Sequence, residues 1–470
     1  MTDLCFMTAL DLKAALAARE LSAREVVRAH LDRIERVNPK VNAVVTLVAE
    51  RAIEAAKAAD ERAAAGAALP PLHGIPVAHK DLHETAGIRT TFGSPLRADY
   101  VPERDQLIIE RMRGAGAITL GKTNVPEFGA GSHTFNPVFG ATRNPYHTGK
   151  SAGGSSGGAA VALACGMCAL ADGSDTGGSL RNPASFTNVI GFRPSPGRVP
   201  NWPALLGWTT LNVSGPMART VADAAFLLSV IAGPDPRSPI SLEEPGASFA
   251  KPLDRDFRDV RVAWSPDLGG AVPVEPAVAA VVGDSAKVFA DLGCVVERAC
   301  PDFAGADEVF RTLRAWQFEV SFGPLLETGR LKETIRWNTL AGRRLSGPEL
   351  GRAEVLHTEL FQRMREFFTR YDFLLLPVSQ VPPFDLELEY PAEVAGVAME
   401  TYLDWMRSAY FVSATGNPAL SVPAGFTSDG LPVGVQIVGP HRADFAVLQA
   451  GHAFEQVTAF ARRRPPVCAD

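Results

Sequence analysis

Two serine sites, each flanked by glycines, lie on either side of an apolar segment within residues 151–183. The first holds Ser155 and Ser156 in GGSSGG, and the second holds Ser179 in TGGSL, 24 positions after Ser155. Glycine adopts positive φ angles easily and leaves N–H groups uncovered, so a serine after two glycines can lie beside an oxyanion-binding site. The intervening segment is long enough for a helix and a short strand. The tract therefore predicts a nucleophilic turn built into the core of the fold.

The chain on both sides of this tract has the pattern of an α/β protein. Short apolar runs punctuated by glycine, in GIPVAHKD, GAGAITLGKTN and LACGMCALADGSD, are typical of buried strands. Predicted helices at 104–115, 156–164 and 220–232 alternate with these runs, which indicates an α/β body.

The two ends of the chain are predicted separately. Residues 8–65 are expected to be helical, because Ser22 and Glu25 form a capping box before an amphipathic run. The other expected elements are a mostly helical stretch at 303–370, strands at 373–378 and 421–426, and a hairpin from the second of these strands through Asp429-Gly430 into 432–438.

Composition excludes several classes of protein. In 470 residues, 46% are hydrophobic and 21% are charged, which is typical of a soluble globular chain. The net charge is −6 and no Lys/Arg run is interleaved with aromatic residues, so no nucleic-acid partner is expected. The most apolar window, 159–171, is too short to span a membrane, and the N-terminus lacks a hydrophobic signal core. We therefore expect a cytoplasmic protein that does not bind membranes.

The cysteines do not form a recognisable framework. Six cysteines in a chain of this length are too sparse for a disulfide scaffold. Cys165 and Cys168 form a single C-x-x-C with no second pair and no histidine pair at ligand spacing. Small buried thiols are expected here rather than a zinc half-site or a redox pair, and no metal site is expected elsewhere.

Two matches to well-known motifs compete with the serine tract. Residues 116–123 (GAITLGKT) fit the phosphate-binding P-loop, but their variable positions look like a strand, and a proline follows where a helix should run. Residues 153–157 (GGSSG) fit the nucleophile elbow of α/β-hydrolases, which would make Ser155 the nucleophile of an esterase. That alternative needs an apolar strand before the elbow, and residues 144–152 are polar.

A serine nucleophile needs a base, and Lys80 is the candidate. Lys80 ends a short apolar strand between Val77 and Leu82, where a solvated lysine would be unusual. A lysine in a desolvated pocket can lose its proton near neutrality and act as a general base. The sequence alone does not decide whether Lys80 instead forms a structural ion pair with Asp81.

Lys80 in GIPVAHKD, GGSSGG at 153–158 and DTGGSLRNPA at 175–184 together closely resemble the amidase signature family. GAGAITLGKTNVPEF, GFRPSPGRVP, TGNPALSVPAGF and GLPVGVQIVG extend the resemblance over nearly the whole chain. The resemblance implies an α/β fold with a large mixed central β-sheet covered by α-helices on both faces. It implies a single domain over residues 1–470, with an N-terminal helical arm at 1–70, a signature core at 72–200 and a substrate-shaping helical region at about 303–370.

The resemblance also implies a Ser–cis-Ser–Lys triad for amide hydrolysis without a cofactor. Ser179 would be the acylated nucleophile, Ser155 would follow a cis peptide bond from Gly154 and relay protons, and Lys80 would be the base. The remaining implied site residues are Thr176, Gly177, Gly178 and Ser179 as N–H donors of the oxyanion hole, Asp175 and Arg181 as an ion pair that holds the loop, and Ser156 and Asn182 in supporting or substrate-binding positions.

The resemblance implies a small-molecule amide substrate, and the sequence does not indicate which amide. A glutaminase (A-type) subunit of a tRNA-dependent amidotransferase is an alternative, although that class usually carries glutamine where Asn182 stands. Residues 125–138 and 303–370 are expected to line the pocket, with Phe128, Phe135, Trp316 and Trp337 as aromatic candidates. The resemblance also allows a homodimer.

Overall fold

The computed structural model describes residues 3–469. Its helices are α1 (Ala9–Ala17), α2 (Ala23–Val41), α3 (Ala49–Ala64), α4 (Leu107–Gly114), α5 (Gly157–Ala164), α6 (Arg181–Thr187), α7 (Val221–Ile231), α8 (Pro276–Asp291), α9 (Ala306–Phe322), α10 (Glu333–Arg344), α11 (Gly347–Phe367), α12 (Arg407–Thr415) and α13 (Asp444–Thr458). Its strands are β1 (Val44–Leu47), β2 (Pro76–Lys80), β3 (Ile118–Thr123), β4 (Phe135–Asn136), β5 (Gly140–Ala141), β6 (Leu170–Asp175), β7 (Ile190–Arg193), β8 (Val213–Ala218), β9 (Arg261–Trp264), β10 (Val295–Arg298), β11 (Phe373–Pro377), β12 (Glu393–Val394), β13 (Val397–Ala398), β14 (Ala419–Phe426) and β15 (Pro432–Val438). None of the helices in this part of the chain is long and apolar enough to cross a membrane.

Eleven of these strands form one sheet in the order β1-β3-β2-β6-β8-β7-β14-β15-β11-β9-β10. Strand β2 runs parallel to both β3 and β6, and β9 runs parallel to both β10 and β11. The central strands from β6 to β11 pair antiparallel. The mixed central sheet expected from the sequence is therefore confirmed.

Both faces of the sheet are covered by apolar side chains. In β11, Leu375 belongs to one buried cluster, whereas Leu374 and Leu376 belong to another. Successive side chains of a strand point to opposite faces, so the two clusters lie on opposite sides of the sheet. Helices α2, α5 and α13 contribute to the first cluster, and α9, α11 and α12 contribute to the second.

The N-terminal arm contains one strand that the sequence pattern missed. The capping box of Ser22 and Glu25 is confirmed at the start of α2. The chain leaves α2 at Asn42, whose φ of 53° is left-handed, and then forms β1 against β3. The prediction of continuous helix over 8–65 is wrong at β1, because β-branched residues pair with a distant strand there.

The later elements follow the sequence patterns more closely. Helices α9, α10 and α11 occupy the predicted helical region, and β14 and β15 form the predicted antiparallel hairpin. Short strands β9 and β10, joined by α8, were not predicted.

The topology brings the motif-bearing segments of the core to one edge. Strands β2 and β6 are parallel neighbours, so their carboxyl ends lie at the same edge of the sheet. Lys80 ends β2, and the glycine-containing loop 176–180 follows β6 before α6 begins. Helix α5 is buried along its whole length, as expected of a helix that is apolar all round, and its N-terminus follows Ser155 and Ser156.

Candidate active site

Lys80 lies fully buried at the end of β2 and faces two serines. Its Nζ donates to Ser155 Oγ at 2.8 Å, to Ser174 Oγ at 3.0 Å and to the Ser174 carbonyl at 3.2 Å. Burial lowers the pKa of Lys80 to about 7, although the nearby carboxylates of Asp175 and Asp172 oppose this shift. A large fraction of this amine is therefore unprotonated near neutral pH.

Asp81 does not pair with Lys80. Its Oδ2 instead accepts from the backbone N–H of Thr91 at 3.1 Å and from Thr91 Oγ1 at 2.6 Å. The Asp81 carboxylate thus stabilises the turn that follows β2. The ion pair between Lys80 and Asp81, which the sequence left open, is not formed.

Ser155 is buried, and the peptide bond that joins it to Gly154 is cis, as the resemblance implied. The Gly154 carbonyl accepts from Ser132 Oγ at 2.8 Å, and Ser132 Oγ in turn accepts from Asn182 Nδ2 at 2.9 Å. Asn182 therefore supports the turn before Ser155 through Ser132, a residue that sequence reasoning missed. Ser156 donates its N–H to the carbonyl of Ser179 at 3.2 Å, which ties the two serine sites together.

Ser179 lies in the loop between β6 and α6 and shares a cavity of about 230 Å³ with Ser155. No hydrogen bond among residues 3–469 joins the hydroxyls of Ser155 and Ser179. Ser179 is 9% exposed and Ser155 is 3% exposed, so Ser179 is the more accessible of the two residues.

The expected oxyanion donors divide into two groups. Within the described chain, no hydrogen bond engages the backbone N–H groups of Thr176, Gly177 and Ser179. Gly178 differs from the prediction, because its N–H donates to Asp175 Oδ1 at 2.8 Å. An N–H already held by a buried carboxylate is not free for an oxyanion, so Gly178 acts here in shaping the loop.

Asp175 anchors this loop through two buried arginines. Arg181 Nε and Nη2 each donate to its carboxylate at 3.0 Å, and Arg193 Nη1 donates at 3.1 Å. Burial opposes ionisation, yet Arg181 and Arg193 hold the pKa of Asp175 well below its usual range. The predicted Asp175–Arg181 ion pair is confirmed, and Arg193 was missed because its contact comes from the next strand.

A second buried carboxylate, Asp172, lies earlier in β6 and binds two histidines. Its Oδ2 is 2.5 Å from His79 Nδ1, and its Oδ1 is 2.6 Å from His83 Nδ1 and 3.0 Å from the Lys80 backbone nitrogen. Burial opposes ionisation, but the two histidines hold the pKa of Asp172 far below its usual range. His83 also lines the cavity that contains Ser179. Sequence reasoning missed this cluster, whose only signal is the pair of histidines flanking Lys80 and Asp81.

The cavity wall confirms part of the expected aromatic lining. Phe128 contributes, and the helical region supplies Gln317, Phe318, Ser321 and Phe322 from one face of α9. Phe135 packs instead against His133 and lies beneath Lys332 Nζ, and Trp337 is 38% exposed beside Tyr402. Trp316 is also outside this lining, so only Phe128 of the four aromatic candidates lies in the cavity.

The competing motif interpretations are not supported by the fold. Residues 118–123 are strand β3, and Lys122 is buried, donating to Thr85 Oγ1 at 2.7 Å and to the His83 carbonyl. The P-loop match is therefore a strand. The α/β-hydrolase elbow fails because no strand leads into Ser155, whose hydroxyl faces Lys80 rather than a histidine.

The C-x-x-C thiols are buried, as predicted. Burial raises the pKa of Cys168 to about 12 and that of Cys165 well above its usual value. Among the described residues, no three His, Cys, Asp or Glu side chains are arranged so that they could hold a metal ion.

Comparisons with known proteins agree with this geometry. The amidase family model matches residues 25–448. An acylamidase from Rhodococcus erythropolis is 36% identical over 468 residues, covering 98% of both chains. The A subunit of the glutamyl-tRNA(Gln) amidotransferase from Acidothermus cellulolyticus is 37% identical over 488 residues, covering 97% of this chain and 95% of the relative. A bacterial aryl acylamidase of the amidase signature family superposes with a TM-score of 0.90 at 30% identity, covering 98% of this chain and 99% of that one. The chain therefore belongs to the amidase signature family and is a hydrolase that acts on amides.

Proposed function

We propose that the protein cleaves the C–N bond of a small-molecule amide through an acyl-enzyme on Ser179, with Ser155 as proton relay and Lys80 as base. The observation that carries this assignment is the 2.8 Å contact between Lys80 Nζ and Ser155 Oγ, made by a buried lysine whose pKa falls to about 7. A base poised near the working pH is the most effective general base.

The proton path follows from these positions. Ser179 Oγ attacks the carbonyl carbon while its proton passes to Ser155 Oγ and the Ser155 proton passes to neutral Lys80. The relay then returns a proton to the amide nitrogen, the C–N bond breaks, and the amine leaves an acyl ester on Ser179. A water molecule attacks this ester with its proton taken by the same relay, and Ser179 recovers its proton as the carboxylic acid leaves. The two serine hydroxyls must approach each other when substrate binds, as catalytic hydrogen bonds often tighten only in the complex.

The developing oxyanion is assigned to the N–H groups of Thr176, Gly177 and Ser179. Loss of one oxyanion donor typically costs about 3–4 kcal/mol of transition-state stabilisation. Asp175 supports this assignment, because its bonds to Gly178 and to Arg181 fix the loop that carries these groups.

The substrate is assigned an apolar portion. A second cavity of about 570 Å³ adjoins the catalytic one, and their walls share seven residues: Leu82, Phe128, Asn212, Ser214, Gln317, Ser321 and Phe322. The larger cavity also contains Phe92, Val199 and Leu325, with Arg97 and Glu84 as its charged side chains. A space of this size and lining suits an aryl or branched aliphatic group, and the acylamidase relatives favour the same class. Helix α9, which forms part of both walls, would then shape the substrate.

Active-site labelling tests the triad. A fluorophosphonate should lose fluoride and form a bond to Ser179 Oγ, which peptide mass mapping locates. The Ser179→Ala variant should not be labelled, and the Ser155→Ala and Lys80→Met variants should be labelled far more slowly at Ser179. A label on Ser155 in the unmodified protein would overturn the assignment of the nucleophile.

The alternative role, as a glutaminase component of a tRNA-dependent amidotransferase, is favoured by the 37% identity to the amidotransferase relative. An assay panel of acetamide, glutamine, benzamide, anilides and esters separates the two functions. A free-standing amidase should hydrolyse anilides or benzamide without a partner, whereas the amidotransferase component should prefer glutamine. The cytoplasmic location and the homodimer both remain predictions. Sedimentation equilibrium measures the oligomeric state directly.

A further inference from the structure

His83 presents one ring nitrogen to the substrate cavity while the other is held by a buried carboxylate. His83 Nδ1 is 2.6 Å from Asp172 Oδ1, and His83 Nε2 is 3.5 Å from Ser214 Oγ. Both His83 and Ser214 line the 230 Å³ cavity that contains Ser179. One ring nitrogen of His83 therefore contacts the buried core, and the other faces the cavity that contains Ser179.

The hydrogen-bond network fixes the tautomer of His83. The ionised carboxylate of Asp172 can only accept, so the Nδ1 that faces it must carry a proton. Burial lowers the pKa of His83 below its ordinary value, although Asp172 opposes this shift, and the lowered pKa favours the neutral ring. In the neutral ring with its proton on Nδ1, Nε2 carries a lone pair and accepts hydrogen bonds.

The present partner of this lone pair is weak. A distance of 3.5 Å from Ser214 Oγ is at the outer limit of hydrogen bonding. The acceptor can therefore exchange this hydroxyl for a better-placed donor at little cost. The backbone of His83 is fixed, because its N–H bonds to the Lys80 carbonyl at 2.9 Å and its carbonyl accepts from Lys122 Nζ and Thr85 Oγ1.

The acceptor and Ser179 line the same cavity. An amide whose carbonyl carbon contacts Ser179 therefore places its nitrogen in a cavity that His83 also lines. Every primary or secondary amide carries an N–H at that nitrogen, whereas an ester carries none.

We propose that His83 is a specificity-determining residue, whose Nε2 accepts a hydrogen bond from the N–H of the scissile amide. This inference rests on the proposed function, since it needs Ser179 to be the acylated residue. The bond would turn the nitrogen lone pair away from His83 and toward the relay that must protonate it. It would therefore favour amides over esters of the same acid, and it would strengthen as the nitrogen becomes tetrahedral.

Two matched substitutions isolate this contact. His83→Asn keeps an N–H donor near the position of Nδ1, so Asp172 stays paired, but it removes the acceptor from the cavity. His79→Asn makes the same change to the other histidine on Asp172, whose Nε2 is 3.0 Å from Thr119 Oγ1 and does not line the cavity. A purely structural role of the cluster would make the two variants behave alike.

The measurement is the ratio of kcat/KM for an anilide to kcat/KM for the phenyl ester of the same acid. We expect His83→Asn to lower this ratio about tenfold, the loss of one hydrogen bond. His79→Asn should leave the ratio unchanged, and His83→Gln, which restores an acceptor at the ε position, should recover part of it. The ratio does not depend on the folded fraction, so partial unfolding of a variant does not obscure the result.

A change in the substrate instead of the enzyme provides a second test. The N-methyl anilide lacks the N–H, so the unmodified enzyme should discriminate against it more strongly than His83→Asn does. Equal discrimination by both enzymes, or a ratio changed equally in His79→Asn and His83→Asn, would overturn the inference. If Ser179→Ala retained full anilide activity, the proposed function itself would fail, which is a different outcome from an unchanged ratio.

Discussion

Lys80 Nζ and Ser155 Oγ are 2.8 Å apart although their positions in the chain differ by 75 residues. Parallel pairing of β2 with β6 creates this contact, because α5 must cross back over the sheet before β6 begins. Lys80 is also completely buried. The end of β2 therefore provides both the contact with the relay and the desolvation of the base.

The pH dependence of catalysis should report the protonation of Lys80. Because burial lowers the pKa of Lys80 to about 7 and the base must be neutral, kcat/KM should rise with pH through about 7 and then level off. Stopped assays of one anilide at closely spaced pH values on both sides of neutrality measure this curve. A rising limb near the ordinary lysine value of 10.5 would contradict the assignment.

The matched variant for this prediction is Lys80→Arg, which keeps a cation but cannot lose its proton. We expect its kcat/KM to fall by about 10²–10⁴-fold, the usual contribution of a general base. The pH profile of the residual kcat/KM should show no rise near pH 7. Circular dichroism of the variant checks that the fold is retained.

Removal of the Asp175 carboxylate should destabilise the protein strongly. Asp175→Asn leaves Arg181 and Arg193 buried without a counter-ion, and breaking such a pair typically costs about 3–5 kcal/mol. Urea unfolding measures the loss. Asp256→Asn is the control, because the Asp256–Arg258 pair is exposed and its loss should not shift the unfolding midpoint measurably.

The same variant has a second readout in the active site. Asp175 raises the pKa of Lys80, so its neutralisation should move the rising limb of the pH profile to lower pH. A limb that moves to higher pH would show that burial of Lys80 had been relieved by local unfolding instead.

The sequence predicted the elements of the site better than it predicted their contacts. Glycine spacing and the position of Lys80 at the end of an apolar strand made Lys80, Ser155 and Ser179 candidates, and the resemblance to the amidase signature family implied their roles. The partners of Asp172 could not be chosen in this way, because His79 and His83 reach it from a different strand and the turn that follows it. Such pairings depend on register between strands, which no local pattern encodes.

Strands near the two ends of the sheet were missed for a related reason. Strands β1, β9 and β10 have only four residues each and are partly exposed, so their apolar pattern is weak. The pairing that stabilises them comes from neighbours distant in the chain, such as β3 for β1. Helices with a capping box, such as α2, carry their own local signal and were found.

Two glycine substitutions should have opposite effects on stability. At Gly178, φ is 113° and an added Cβ would lie 2.6 Å from Ala409 Cβ and 2.7 Å from Asn182 Nδ2. Gly178→Ala should therefore destabilise the protein by about 1–3 kcal/mol and distort the oxyanion loop. Gly351→Ala, in open space within α11, should stabilise it by about 0.5–1 kcal/mol. Thermal unfolding of both variants decides this, and a stabilised Gly178→Ala would contradict the loop geometry.

Finally, His30 should make the protein sensitive to mild acid. The ring is fully buried in α2, its Nδ1 is 2.8 Å from the Val26 carbonyl, and its Nε2 has no hydrogen-bond partner among the described residues. Burial lowers the pKa of His30 from 6.5 to about 4, an effect that Arg219 and Arg33 reinforce and Asp3 opposes. Between these two values the unfolded chain binds the proton and the folded chain does not, so stability falls as pH decreases through this window.

The variant His30→Leu removes this proton-linked loss and keeps an apolar side chain of similar bulk. The unfolding free energy of His30→Leu relative to the unmodified protein should rise by about 2 kcal/mol between pH 7 and pH 5, from 1.36 kcal/mol per pKa unit. At pH 8 the histidine is neutral in both states, so the difference there measures packing alone and serves as the internal control. Urea titrations at these three pH values supply the comparison. A difference that stays constant from pH 8 to pH 5 would mean that His30 binds its proton equally well in the folded and unfolded chain.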